Sequence, residues 1–128
     1  MTEELQILVI DDNPDICDAI QAVLEDEPWT VITAGGGEEG IKILENGFTG
    51  LILLDIMMPD MNGWDTIREI ASRDLYHRII ICMLTAMDNP DEGMIGIEEY
   101  VSDYITKPLE PDLLTELVRL WMDNIPDT

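Results

Sequence analysis

Residues 51–55 read LILLD: four aliphatic side chains in a row, then a carboxylate. A short unbroken apolar run is the pattern of a strand buried on both faces, as in a parallel sheet. Three other runs share this character: LQILVI (5–10), WTVIT (29–33) and IIICML (79–84). A weaker fifth, SDYIT (102–106), precedes Lys107-Pro108. Between the runs the periodicity changes. Ile16, Ile20, Val23 and Leu24 recur at i, i+4, i+7 and i+8, which predicts a helix with Pro14 near its start. Ile41 and Leu44 mark a shorter second helix after Gly35-Gly36-Gly37, and Trp64, Ile67, Ile70 and Ala71 mark a third. A fourth, around residues 91–99, is weakened by Gly93 and Gly96. Leu113, Leu117, Leu120 and Trp121 predict a fifth, with Pro111 and Asp112 near its start. Strand alternates with helix five times, which implies a parallel sheet with right-handed crossovers and helices on both faces.

A chain of 128 residues suits one domain and is too short for two of ordinary size. With 46% hydrophobic and 27% charged residues it can bury a core, which argues against disorder. Its 6 Lys+Arg stand against 28 Asp+Glu, a formal charge of −22 at pH 7. Such a surface repels phosphate backbones and anionic lipids, so no direct nucleic-acid or membrane binding is expected. It suits a cation, a basic protein partner or a saline cytoplasm. Cys17 and Cys82 each sit inside an apolar segment and read as reduced, buried thiols. The opening MTEELQ carries acid where a secretory leader needs base, and no stretch approaches the ~20 apolar residues of a membrane helix. A cytoplasmic location is therefore expected. Arg68, Arg73, His77 and Arg78 form the only concentration of base. They read first as a solvated helix end and second as a docking patch for an acidic partner.

In open α/β sheets, ligands bind in the crevice outside the carboxyl ends of the strands. The first run ends in Asp11-Asp12, the third in Asp55, the fourth in Thr85-Ala86 and the fifth in Thr106-Lys107-Pro108. Lys107 is one of only two lysines, with Lys42. Three carboxylates at one rim repel each other unless a positive charge sits among them. A hard divalent cation such as Mg²⁺, which takes oxygen ligands, meets that need, and so does the Lys107 ammonium. A metal, a lysine and a threonine hydroxyl around one aspartate can also hold a phosphoryl group. The aspartate oxygen can attack phosphorus to give an acyl phosphate. Each piece has a plainer reading on its own: Asp11-Asp12 as a helix cap, Asp55 as a turn residue, Thr85 as a strand former, Lys107-Pro108 as a rigid turn. Their joint placement at four strand ends favours a site.

The pieces ILVIDDNPD (7–15), LLDIMMPDMNG (53–63), MLTA (83–86) and DYITKPL (103–109) resemble the receiver domain of two-component response regulators, of the chemotaxis-regulator kind. The resemblance extends over essentially the whole chain. The intervals match too: 30 positions from Asp55 to Thr85, 19 from Thr85 to Tyr104 and 3 from Tyr104 to Lys107. The resemblance implies a flavodoxin-like α/β receiver fold, a five-stranded parallel sheet in the order 2-1-3-4-5 with helices on both faces, and residues 1–128 as a single domain. It implies that Asp55 accepts a phosphoryl group from a histidine kinase or phosphotransfer protein in a Mg²⁺-dependent reaction. Asp12 would bind the Mg²⁺ directly alongside Asp55, Asp11 largely through a bound water, and Met57 through its backbone carbonyl. Thr85 and Lys107 would contact the phosphoryl oxygens. Pro108 resembles the family's cis-proline, and Tyr104 the aromatic switch that turns inward when Thr85 moves. The face of the fourth helix, fifth strand and fifth helix would report the change to an output protein or domain. Such a receiver catalyses only its own phosphorylation and dephosphorylation and is otherwise no enzyme.

The sequence departs from the family pattern in places. Tyr100-Val101 stands where Gly-Ala is usual, Leu109 replaces a frequent Phe, and Gly35-Gly36-Gly37 would loosen the loop after strand two. Met57 and Met87 lie two residues beyond Asp55 and Thr85, positions that tune phosphoryl lifetime in the family. Both are apolar and cannot orient an attacking water, which predicts slow self-dephosphorylation. The fifth helix has only Arg119 as base, which disfavours the family's ion-paired dimer and predicts a monomer or weak dimer. Two other classes compete. A haloacid-dehalogenase-type phosphohydrolase also pairs a strand-end Asp with Mg²⁺, Thr and Lys, but its Asp-x-Asp is missing: Asp55 is followed by Ile56-Met57, and Asp11 by Asp12-Asn13. A flavodoxin-like flavin carrier would use Gly/Ser/Thr-rich amides instead of three carboxylates.

Overall fold

A computed structural model of the protein describes residues 5–59, 61–85 and 98–126. Along β1 (Gln6–Ile10), Ile7 and Val9 join one core cluster and Leu8 and Ile10 the other, and all four are fully buried. β3 (Gly50–Asp55) divides Leu51 and Leu53 from Ile52 and Leu54 in the same way. β4 (Ile79–Thr85) divides Ile80, Cys82 and Leu84 from Ile79, Ile81 and Met83. The period-two alternation of a strand turns each unbroken aliphatic run into half of two cores. Each aliphatic side chain buried there contributes roughly 1.5–3 kcal/mol, so these three strands supply much of the folding drive.

β2 (Thr30–Ala34) and β5 (Val101–Thr106) flank them, completing a parallel sheet in the order β2-β1-β3-β4-β5. As edge strands they are only partly buried, which is why SDYIT is the weaker run. Every strand lies within one residue of its apolar run. α2 (Gly37–Glu45) and α3 (Gly63–Ser72) lay Ile41, Leu44, Trp64, Ile67 and Ile70 on one face of the sheet. α1 (Pro14–Val23) and α4 (Pro111–Met122) lay Cys17, Ile20, Leu114, Val118 and Met122 on the other. α4 is the fifth helix of the sequence pattern. Of the expected fourth, around residues 91–99, the part up to residue 97 lies outside the described residues, and Glu98–Tyr100 form a 3₁₀ turn into β5. Tyr100, in place of the usual glycine, packs edge-to-face on Tyr76 with ring centroids 4.9 Å apart. Among the described residues no helix is long and apolar enough to cross a membrane.

Local chemistry fixes how the helices meet the sheet. Asn13 caps α1: its Oδ1 accepts the Asp15 N–H at 2.9 Å, and Pro14 takes a first-turn position where no N–H is needed. A neighbour therefore does the capping that Asp11-Asp12 offered, and both carboxylates are left to the rim. Asn62 caps α3 in the same way, 2.8 Å from the Asp65 N–H. Gly37 is buried where a Cβ would collide with Thr66 Oγ1 and Met61 Sδ. The last glycine of the three thus lets α2 close against α3. A Cβ on Gly63 would sit 2.6 Å from the Asp55 carbonyl oxygen, so glycine there brings the start of α3 against the end of β3.

Candidate functional site

Parallel strands deliver all their carboxyl ends to one rim, and right-handed crossovers keep the connecting helices clear of it. Here β1, β3, β4 and β5 bring Asp11, Asp55, Thr85 and Lys107 together. Asp11, Asp55 and Thr85 are buried, while Asp12 is exposed. Lys107 Nζ donates to Asp11 Oδ2 at 3.0 Å and to Asp55 Oδ1 at 3.3 Å. Its backbone is fixed as well: the Lys107 N–H donates to the Thr85 carbonyl at 2.7 Å, and the Lys107–Pro108 peptide is cis. Asp11 Oδ1 accepts the Asn13 N–H at 2.9 Å. The Met57 N–H reaches Asp55 Oδ1 at 3.4 Å, and the residue itself is 67% exposed. One ammonium thus serves two buried carboxylates.

That ratio leaves the rim short of positive charge. Burial, and then the charge of Asp11, push the Asp55 carboxyl above its ordinary range. The Lys107 ammonium and the Met57 N–H pull it back without cancelling the rise. Burial pulls Lys107 down, but the Asp11 hydrogen bond and the charges of Asp55 and Asp11 outweigh it, and its net shift is upward. Asp11, Asp12 and Asp55 each offer a carboxylate oxygen, all within 4.8 Å of one another. Three hard oxygen donors with uncompensated charge fit a divalent cation, whose field would relieve the repulsion that raises Asp55.

The remaining expected residues lie close by. Thr85 closes β4 opposite Thr106, and Tyr104 lies opposite Met83, partly buried against the α2/α3-side core. Met87 lies outside the described residues. Two ties on α4 are invisible to periodicity. Trp121 Nε1–H donates to Asp103 Oδ2 at 3.1 Å, and Arg119 pairs with Glu27 through Nε and Nη2. The basic group around α3 is engaged locally: Arg73 with Glu69 at 2.9 Å and Glu45 at 3.3 Å, Arg68 with Asp65 at 3.5 Å. Its plain reading as a solvated helix end therefore stands over the docking patch. Cys17 and Cys82 are free and buried, and burial pushes the Cys82 thiol up to about 12.

A doubly wound parallel sheet with three carboxylates and one ammonium at its switch-point crevice defines a receiver-type signalling domain. The family model for the response regulator receiver domain matches residues 7–119, and the chain belongs to that family. A CheY-like response regulator receiver domain protein from Methanospirillum hungatei JF-1 is 42% identical, with a TM-score of 0.89 over 96% of this chain and 98% of that one. TrrA from Thermotoga maritima, solved in complex with Mg(2+)-BeF, is 30% identical, with a TM-score of 0.76 over 91% of this chain and 98% of that one. The transcriptional regulatory protein DltR of Streptococcus agalactiae is 35% identical over 116 residues, which are 91% of this chain and 51% of that protein. The chain thus spans about half the length of such curated regulators. It is the receiver domain of a two-component response regulator, a signalling domain, and these relatives give the phosphohydrolase alternative no support.

Proposed function

We propose that Asp55 is the phospho-acceptor, that residues 1–128 form one receiver domain, and that it works in the cytoplasm. The observation that carries this reading is the Lys107 ammonium, 3.0 Å from Asp11 and 3.3 Å from Asp55. An Asp55 oxygen attacks the phosphorus of a phosphohistidine on a histidine kinase or phosphotransfer protein. The P–O bond forms, the P–N bond breaks, and the imidazole leaves with a proton. Asp12 and Asp55 would hold Mg²⁺, with Asp11 acting largely through a water and Met57 offering its backbone carbonyl. Bound there, the ion supplies positive charge against the phosphoryl oxygens. Lys107 transfers its hydrogen bond from Asp55 to a phosphoryl oxygen, and the Thr85 hydroxyl donates to another.

Phosphorylation adds roughly −1.5 to −2 charge, which draws Thr85 inward and vacates space for Tyr104. The change shifts an equilibrium that exists before phosphorylation and is passed to a downstream output protein or domain. The apolar side chain of Met57 offers no group to orient a hydrolytic water, so the acyl phosphate is long-lived. The domain acts as a monomer or weak dimer, makes no direct contact with nucleic acid or membrane, and turns over no substrate but its own phosphoryl group. Acetyl phosphate with Mg²⁺ should label the native protein to a plateau of at most one phosphoryl group per chain, with negligible turnover of an aryl phosphate. Rapid multiple turnover of the aryl phosphate would overturn this reading in favour of a hydrolase.

A further inference from the structure

Among the described residues three large apolar side chains are strongly exposed: Met57, Leu113 and Leu120. Two of them lie on α4, seven positions apart and so on one face of the helix. Leu117 and Trp121, both partly buried, share that side and join the leucines into a continuous stripe. Isolated exposed leucines need no explanation, but an aligned apolar stripe marks an interaction surface. The stripe borders the sheet edge, where Trp121 Nε1–H holds Asp103 Oδ2 on β5. Along its other flank run Asp112, Glu116 and Asp123, all exposed and at helical spacing. Arg119, the one base on α4, is committed elsewhere, paired with Glu27 through two guanidinium nitrogens.

We propose that this stripe docks a basic amphipathic helix of a partner protein. The proposal rests on the receiver reading and names the chemistry of its output partner. A second copy is a poor occupant. In a two-fold contact with the α4 helices antiparallel each acidic row would lie along its like, and in any arrangement no free α4 base is there to pair it, between chains that each carry −22. A helix with leucines on one face and Lys or Arg beside them satisfies both features at once. Its leucines cover Leu113, Leu117 and Leu120, and its cations meet Asp112, Glu116 and Asp123.

The test titrates a labelled amphipathic Leu/Lys peptide of about 16 residues, some four turns, into the native protein with and without Mg²⁺ and beryllofluoride. A scrambled peptide of the same composition and a Lys→Glu version serve as comparisons. In at least one state the amphipathic peptide should bind about tenfold or more tightly than the scrambled one, and the acidic version should not saturate. L113S/L120S should lose about tenfold or more of that affinity while keeping the native circular dichroism, because both side chains are exposed. Equal affinity for the scrambled peptide would show attraction to bulk charge alone and overturn the proposal. So would unchanged binding by L113S/L120S, or a concentration-dependent dimer that this variant abolishes. Normal acetyl-phosphate labelling without stripe-dependent binding sinks the docking proposal alone. Stripe-dependent binding in a protein that cannot be labelled sinks the phospho-acceptor reading alone.

Discussion

The carboxyl rim of the sheet and the outer face of α4 break the same rule in opposite directions. At the rim, charged Asp11 and Asp55 are buried; on α4, Leu113 and Leu120 are exposed. Folding alone favours neither arrangement. Elsewhere the chain obeys the ordinary partition: the facing residues Leu114, Val118 and Met122 of the same helix are buried, and the carboxylates of Asp15, Asp18 and Glu25 are exposed. The two exceptions differ in kind. The rim is tied by short hydrogen bonds and one shared ammonium, so its groups are coupled. Leu113 and Leu120 of the α4 stripe lie outside both core clusters, so these two should be free to change without harm to the fold.

That difference can be broken by substitution. Leu114→Ala should cost about 2–5 kcal/mol in denaturant unfolding, whereas Leu120→Ser on the opposite side should stay within about 0.5 kcal/mol. A comparable loss at both would mean that the stripe is part of the core. Lys107→Ala should cost about 2–3 kcal/mol, because it leaves two buried carboxylates facing each other without their cation. A neutral result would show that the rim is wetter than its burial implies.

Asp55→Asn tests the same repulsion from the other side, with a smaller effect. The folded-state pKa of Asp55 lies above its unfolded value, so the folded protein holds this proton to higher pH. Its contribution to stability therefore falls as pH rises from about 4, the unfolded value, through the raised folded value, and the loss is complete above it. Asp55→Asn should accordingly raise the thermal midpoint at pH 7, with the advantage vanishing below about pH 4. Mg²⁺ should raise the midpoint of the native protein more than that of the variant. A variant less stable than native at pH 7 would contradict the assignment of strain to this carboxylate. Smallest of all, Met57→Asn should shorten the phosphoryl lifetime a few-fold by giving water a polar partner beside the acyl phosphate. An unchanged decay would remove the apolar side chain as the cause of slow loss.

The sheet was legible in the sequence because β1, β3 and β4 are buried on both sides, so that Ile7 to Ile10 or Leu51 to Leu54 need no gap for solvent. β5 read weakly because an edge strand alternates: Ile105 is buried while Ser102 and Thr106 are exposed. The gathering of Asp11, Asp12, Asp55, Thr85 and Lys107 follows from strand direction alone. The division of labour between Asn13 and its acidic neighbours does not. Nothing in Asp11-Asp12-Asn13-Pro14 says which side chain turns back to the helix, since all three can cap. Trp121 with Asp103, and Arg119 with Glu27, are equally hidden. These pairs join residues 18 and 92 positions apart, and each depends on the packing of two elements. Helical spacing placed Leu113 and Leu120 in one stripe with the partly buried Leu117 and Trp121, but it could not tell which of the four face water.

The central claim is that one carboxylate, Asp55, takes the phosphoryl group. It can be tested by treating the acetyl-phosphate-labelled protein with borohydride, which reduces an acyl phosphate to an alcohol, and locating the altered residue by peptide mass. Reduction at position 55 alone, absent in Asp55→Asn and absent without Mg²⁺, is the predicted result. Reduction at Asp11 or Asp12 instead, or at several carboxylates with equal yield, would contradict it.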